Sequence, residues 1–179
     1  MMSVHEVDLT CLQFAIMNNR FETVNLLVDA GVSATDTDDA RSMLALCTSN
    51  DSVKMLDCLF KNGVLDSLKF EDVACSMHLM ASNGSHELLR ICLEHAVENE
   101  ADIARLLAHT DPDGKTLLLN AVTSQDPVNV LTVKMLVEHG ANVLQTDPRG
   151  QTAVDLVKCK PGASNQQVIA ILEGSIEIL

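Results

Sequence analysis

The sequence predicts an all-α repeat solenoid of stacked helix-turn-helix units, and three observations carry that reading. An internal period of about 33 residues runs along the chain. Within each period apolar residues recur at i, i+3, i+4 spacing, and helix-opening and helix-closing residues return at the same phase. Of the 179 residues, 47% are hydrophobic and 21% charged, with four Pro and eight Gly, which excludes a disordered or collagenous chain.

The first copy opens with Thr10-Cys11-Leu12-Gln13-Phe14-Ala15 and closes with Leu26-Leu27-Val28-Asp29-Ala30-Gly31. Ser42 to Gly63 repeats it one period on, and Cys75 to Ala96 follows at the next period. The fourth copy opens with Asp111-Pro112-Asp113-Gly114-Lys115-Thr116 and ends at Gly140-Ala141; the fifth opens with Asp147-Pro148-Arg149-Gly150-Gln151-Thr152. Thr10, Ser42, Thr116 and Thr152 are placed to cap inner helices, each worth on the order of 1 kcal/mol, while Cys75 at that phase caps poorly. Gly31, Gly63 and Gly140 stand where the outer helix needs a left-handed closing residue. Val24, Leu27 and Val28, then Val53, Leu56 and Phe60, give the first two outer helices an apolar face that neighbouring repeats must cover.

The irregularities are equally specific. The stretch from Cys75 to Thr116 is longer than one period, and the excess lies around 97–110, where Ile103, Leu106 and Leu107 predict an inserted helical turn. Phe70-Glu71-Asp72-Val73 lacks a turn glycine, which predicts extra helix before the third copy. Asp126-Pro127 reads as a cap followed by the first residue of a lengthened outer helix. Lys160-Pro161-Gly162 breaks the fifth copy.

These residues resemble the ankyrin repeat, with its pattern D-x-x-G-x-T-P-L-H-x-A, from residue 8 to about 173. The resemblance implies one domain spanning 1–179, with repeats at 8–38, 39–71, 72–110 with the insertion, 111–146 and 147–179. It also implies short β-hairpin fingers which, with the inner-helix ends, line a concave partner-binding groove. Carried over by position, the inner-helix ends are Met17 and Asn18, Ser49 and Asn50, Ser82 and Asn83, Thr123 and Ser124. The fingers would present Glu6, Asp8, Asp36, Asp38 and Asp39 towards one end and Asp113, Lys115 and Arg149 towards the other.

Charge narrows the partner. The formal net charge of −13 repels phosphate backbones and anionic lipid heads, and the absence of Trp and Tyr leaves no aromatic platform for bases. Residues 1–113 carry 19 acidic and 7 basic side chains, net −12; residues 114–179 carry 6 and 5, net −1. The acidic first part therefore calls for a Lys/Arg-rich segment of another protein, with no nucleic acid, membrane or small-molecule substrate. The first ten residues contain Glu6 and Asp8 and no apolar run of the length a secretory signal needs, so cytosol or nucleus is expected.

Signals for chemistry dissolve on inspection. Asp113-Gly114-Lys115-Thr116 ends like a phosphate loop, but His109 stands where the first glycine belongs. Asp36-Thr37-Asp38-Asp39 begins like a calcium loop and fails at Arg41 and Cys47. Asn50-Asp51-Ser52 and Asn83-Gly84-Ser85 match a glycosylation sequon without a secretory route to it. Cys75-x-x-His78 and Cys92-x-x-His95 could hold a metal, but His78 falls at the repeat's own His and Cys92 replaces a core Leu. The cysteines lie in apolar helical patterns and read as reduced thiols; Cys159, between Lys158 and Lys160, is the one at a usually exposed position.

No nucleophile elbow or catalytic triad stands out, so the expected function is non-enzymatic and free of cofactors: an intracellular adaptor or inhibitor that occupies a partner's surface. The insertion after the third copy, the acidic balance and the Pro-Gly break are also similar to the inhibitor-of-NF-κB family and its short viral mimics, which implies sequestration of a transcription factor. A metal- or thiol-dependent regulator is the alternative from another class.

Overall fold

The computed structural model describes residues 10–95, 100–124, 127–160 and 162–176. The described residues form eleven helices and one isolated antiparallel bridge, Thr146 to Thr152. The expected all-α repeat class is what this shows. Two compact units divide the chain, Met1–Lys69 and Phe70–Leu179.

The first unit holds α1 (Cys11–Met17), α2 (Phe21–Asp29), α3 (Thr37–Ser49) and α4 (Val53–Lys61). Each inner helix packs on its own outer helix and on its neighbour in the next repeat, α1 on α2 and α3, α4 on α2 and α3. Leu12, Ile16, Val24, Leu44, Leu56 and Leu59 are fully buried between them, and a buried side chain of this size contributes about 1.5–3 kcal/mol. At the α1 start, Thr10 Oγ1 accepts from the Gln13 amide at 3.2 Å and Gln13 Oε1 accepts from the Thr10 amide at 3.0 Å.

The second copy departs from expectation. Its inner helix begins at Thr37 with Asp36 as cap, whose Oδ1 accepts from the Asp39 amide at 2.9 Å. Ser42 is therefore no cap: it lies mid-helix and donates to the Asp38 carbonyl. An aspartate upstream of Ser42 captured the helix start, so the segment expected as a finger is the first turn of α3.

The second unit holds α5 (Phe70–Asn83), α6 (His86–His95), α7 (Glu100–Ala108), α8 (Leu117–Thr123), α9 (Val130–Glu138), α10 (Ala153–Lys158) and α11 (Ala163–Ile176). Helices α5, α8 and α10 form one row and α6, α9 and α11 the row behind it. Met77, Met80, Leu89, Val122, Leu136, Val157 and Leu172 fill the space between the rows. Helix α5 starts at Phe70, as the missing turn glycine implies, which leaves Cys75 inside the helix instead of at its cap. The insertion is α7, with Leu106 and Leu107 buried. Helix α9 is not lengthened: Asn129, not Asp126, caps it, accepting from the Leu131 and Thr132 amides, and Asp126 lies outside the described residues.

Candidate interaction groove

Two matching fingers precede α8 and α10. In the first, Asp111 Oδ1 accepts from the amides of Asp113 and Lys115, each at 2.9 Å, while the Asp111 amide donates to the Lys115 carbonyl. In the second, Asp147 Oδ1 accepts from Arg149 at 2.8 Å and Gln151 at 2.9 Å, and the Asp147 amide donates to the Gln151 carbonyl. The tips need left-handed residues, which Gly114 (φ +74°) and Gly150 (φ +78°) supply. Pro148 of the second finger sits so close to the first that a Cβ on Gly114 would lie 2.8 Å from its Cγ.

Between the fingers and the helices behind them runs a cleft of about 400 Å³. Asp113 and Lys115 come from the first finger, Pro148, Arg149 and Gln151 from the second, and Leu156 and Thr123 from the helices. The structure thus brings Asp113, Lys115 and Arg149 together with one inner-helix end, Thr123, as the repeat pattern implies. Arg90, Lys134 and Lys158 are matched with Glu87 and Glu94, Glu138 and Glu173, whereas Lys115 and Arg149 form no ion pair among the described residues. Burial works to raise the Asp111 carboxyl, yet bonds from Asn120 and the Lys115 amide, the nearby His78 and the Asp113 amide hold it below the usual carboxylate range. It stays an acceptor and fixes the finger.

The residues assigned to the first unit fare differently. Asp39, expected on a finger, is buried; its carboxylate accepts from Gln13 Nε2 at 2.7 Å, the Thr35 amide at 2.9 Å and Thr35 Oγ1 at 3.2 Å. Asp36 is exposed but caps α3, and Asp38 is exposed and paired with Arg41 at 2.8 Å. Asn50, expected to offer its amide to a partner, donates to the carbonyls of Ile16 at 3.0 Å and Met17 at 3.4 Å. It satisfies helix-end acceptors that α1 cannot satisfy itself. Asn18 likewise donates to the Phe14 carbonyl. Met17 and Ser49 are exposed, Ser82 is half-buried and Asn83 exposed, while Glu6 and Asp8 lie outside the described residues. Lys160 Nζ repeats the Asn50 device in the second unit, donating to the Thr123 carbonyl at 2.9 Å.

Two further features lie outside the residues that the repeat pattern marks for binding. Phe14 and Leu79 share one phase of the repeat and are 58% and 47% exposed, an apolar signal visible in the register. His109, outside any repeat motif, joins His78 in a hydrogen-bonded chain that ends at Asp111. Cys159 is also not alone: Cys11 and Cys75 are exposed, and the lysines beside Cys159 are engaged by Glu173 and the Thr123 carbonyl. No group of three or more His, Cys, Asp or Glu among the described residues is placed to hold a metal ion, and no described helix is long and apolar enough to cross a membrane.

Helical hairpins in two rows, with matched Asp-Pro-x-Gly fingers over a cleft, define an ankyrin-repeat fold. The crystal structure of EF0377, an ankyrin repeat protein, has the same fold at a TM-score of 0.68, with 22% identity over 97% of this chain and 85% of that one. No family model matches the sequence, and no curated protein does.

Proposed function

We infer that the chain is a non-enzymatic protein-interaction module whose finger groove takes an extended segment of a partner protein. The observation that carries this is the cleft itself: Lys115 and Arg149, unpaired among the described residues, line it together with Asp113, Gln151 and Leu156. A preformed surface of this kind orders few side chains on binding, which is where affinity is gained. The excess of 25 acidic over 12 basic side chains supports a partner segment rich in Lys and Arg, drawn in by long-range attraction. In the first unit Asp36 and Asp38 remain candidates for that role, and Asp39 does not, because it is buried.

The narrower reading is an inhibitor that covers the basic localisation segment of a transcription factor in the cytosol or nucleus. The helical insertion α7 and the break between α10 and α11 favour it. Selection of random displayed peptides on the purified chain tests the general reading: Lys/Arg-rich sequences should be enriched, and enriched more strongly on Lys115→Glu with Arg149→Glu, which removes the two cations of the groove. Enrichment of acidic peptides, or no enrichment, would overturn it.

A further inference from the structure

The imidazoles of His78, on α5, and His109, after α7, meet Nε2 to Nδ1 at 3.1 Å. On the other side of His78, Nδ1 lies 2.9 Å from Asn120 Nδ2, which lies 2.7 Å from Asp111 Oδ2. His109 Nε2 lies 3.2 Å from Glu71 Oε2. Both ends of this chain are carboxylates, which only accept. Asp111 therefore requires the amide nitrogen of Asn120 to face it, and the second hydrogen of that nitrogen goes to His78 Nδ1. His78 then carries its proton on Nε2 and donates to His109 Nδ1, and His109 donates from Nε2 to Glu71. One assignment satisfies every member, with both imidazoles neutral.

An added proton breaks the chain wherever it lands. On His78 it sets an N–H against the Asn120 amide. On His109 it sets an N–H against the His78 N–H, and moving the His78 proton to Nδ1 only transfers the conflict to Asn120. Turning the Asn120 amide over would aim its oxygen at Asp111.

The charged groups facing the pair come from three places among the described residues. From α5 comes Glu71; from α7 comes Arg105, 3.6 Å from Glu71 and 3.6 Å from the centre of the Phe70 ring. Asp111 faces it from the start of the finger, and α8 contributes the neutral Asn120. Burial lowers the His78 pKa, the Asp111 charge opposes that, the His109 imidazole adds to the lowering and the His109 backbone works against it, so the balance falls below the ordinary 6.5.

Asp111 also shapes the groove, because its other oxygen holds the Asp113 and Lys115 amides. We propose that the His78–His109 pair is a single-proton switch on this finger: proton uptake disconnects Asn120, releases Asp111, and weakens the groove's grip on its partner in acidic solution. The grip on a partner rests on the groove reading; the coupling of proton to finger does not.

Nitrogen-detected NMR of the imidazoles in the intact chain, from about pH 8 to about pH 5, tests the coupling. Near pH 8 His78 should carry its proton on Nε2. On acidification its ring and the Asp113 and Lys115 amides should move through one shared transition with a midpoint below the ordinary 6.5. His78→Gln should leave those amides flat. Should that variant fail to fold, Glu71→Gln, at an exposed position that keeps an acceptor for His109, should shift the shared midpoint downward. A His78 proton on Nδ1 near pH 8, finger amides that stay still while His78 titrates, or a midpoint indifferent to Glu71→Gln would each overturn the switch. The experiment needs no partner, so its failure would leave the groove reading standing, and a failed peptide selection would leave the switch standing.

Discussion

Gln13 Nε2 donates to Asp39 Oδ1 at 2.7 Å, joining two buried side chains 26 residues apart. Gln13 occupies in its repeat the phase that His78 occupies in the third copy, so one position of the inner helix serves in both units as a buried polar link to the adjoining repeat. Fidelity at this position matters to each unit, because a buried polar group that loses its partner costs more than a made bond gains.

That link separates two neighbouring aspartates. Asp39→Ala leaves Gln13 Nε2 and the Thr35 amide without their acceptor, and should lower unfolding stability by roughly 1–3 kcal/mol. Asp38→Ala, at an exposed carboxylate paired with Arg41, should stay within about 0.5 kcal/mol of the parent. Urea denaturation of the two variants distinguishes a finger charge from a core acceptor; equal midpoints would contradict the assignment of Asp39.

Much of this was legible in advance, and the failures share a cause. Thr10, Thr116 and Thr152 cap as the repeat phase demands, and Gly31, Gly63 and Gly140 all take positive φ. Asp111 and Asp147 build equivalent fingers because Asp-Pro-x-Gly encodes its own turn. The errors arose where a polar side chain had two uses. Asp36 could decorate a finger or cap a helix, and Asn50 could bind a partner or cover the end of α1; in both cases an unsatisfied backbone group at a helix terminus decided it. Asp39 and His109 were hidden for a further reason: Gln13, which Asp39 joins across the repeat, and His78 and Glu71, which His109 joins, are distant in sequence, and no local pattern announces them.

The two finger glycines should respond unequally to alanine. Both have positive φ, which costs an L-residue about 1–2 kcal/mol. Gly150 faces open space, while a methyl on Gly114 would meet the Pro148 ring at 2.8 Å. Gly114→Ala should therefore melt lower than Gly150→Ala and disturb the Asp113 and Arg149 resonances across the cleft. Identical melting temperatures would show that the fingers do not touch as described.

Stability should follow His78. Its folded pKa is lowered, so between the ordinary 6.5 and that lower value the unfolded chain takes up a proton that the folded chain refuses. The contribution is fully present above about pH 6.5 and is lost as pH falls below it. Urea midpoints at about pH 7.5 and about pH 5.5 should differ more in the parent than in His78→Gln. Asp111, whose ordinary value is 3.8, enters only in more acidic solution.

Thiol labelling should proceed in two classes. Cys11, Cys75 and Cys159 are exposed, and Cys47, Cys58 and Cys92 are buried. Burial, aided by neighbouring Cys58, pushes the Cys47 thiol up to about 12, so it has no thiolate to offer a reagent at neutral pH. Mass spectrometry of the native protein should find the first three labelled early and the rest only on unfolding; early modification of Cys47 would contradict the packing of α3.

Quantitative affinity capture tests the central claim most directly, comparing the parent with Asp113→Lys, which places a repelling charge in the groove for a basic segment, and with Glu138→Lys as a control on an outer helix, where Glu138 is exposed beside Lys134. If the finger groove is the binding surface, a defined set of proteins should be held by the parent and the control and lost from the groove variant, with all three equally folded. Retention of the same set by all three, or equal loss from the control, would contradict the account and move the interaction surface off the fingers.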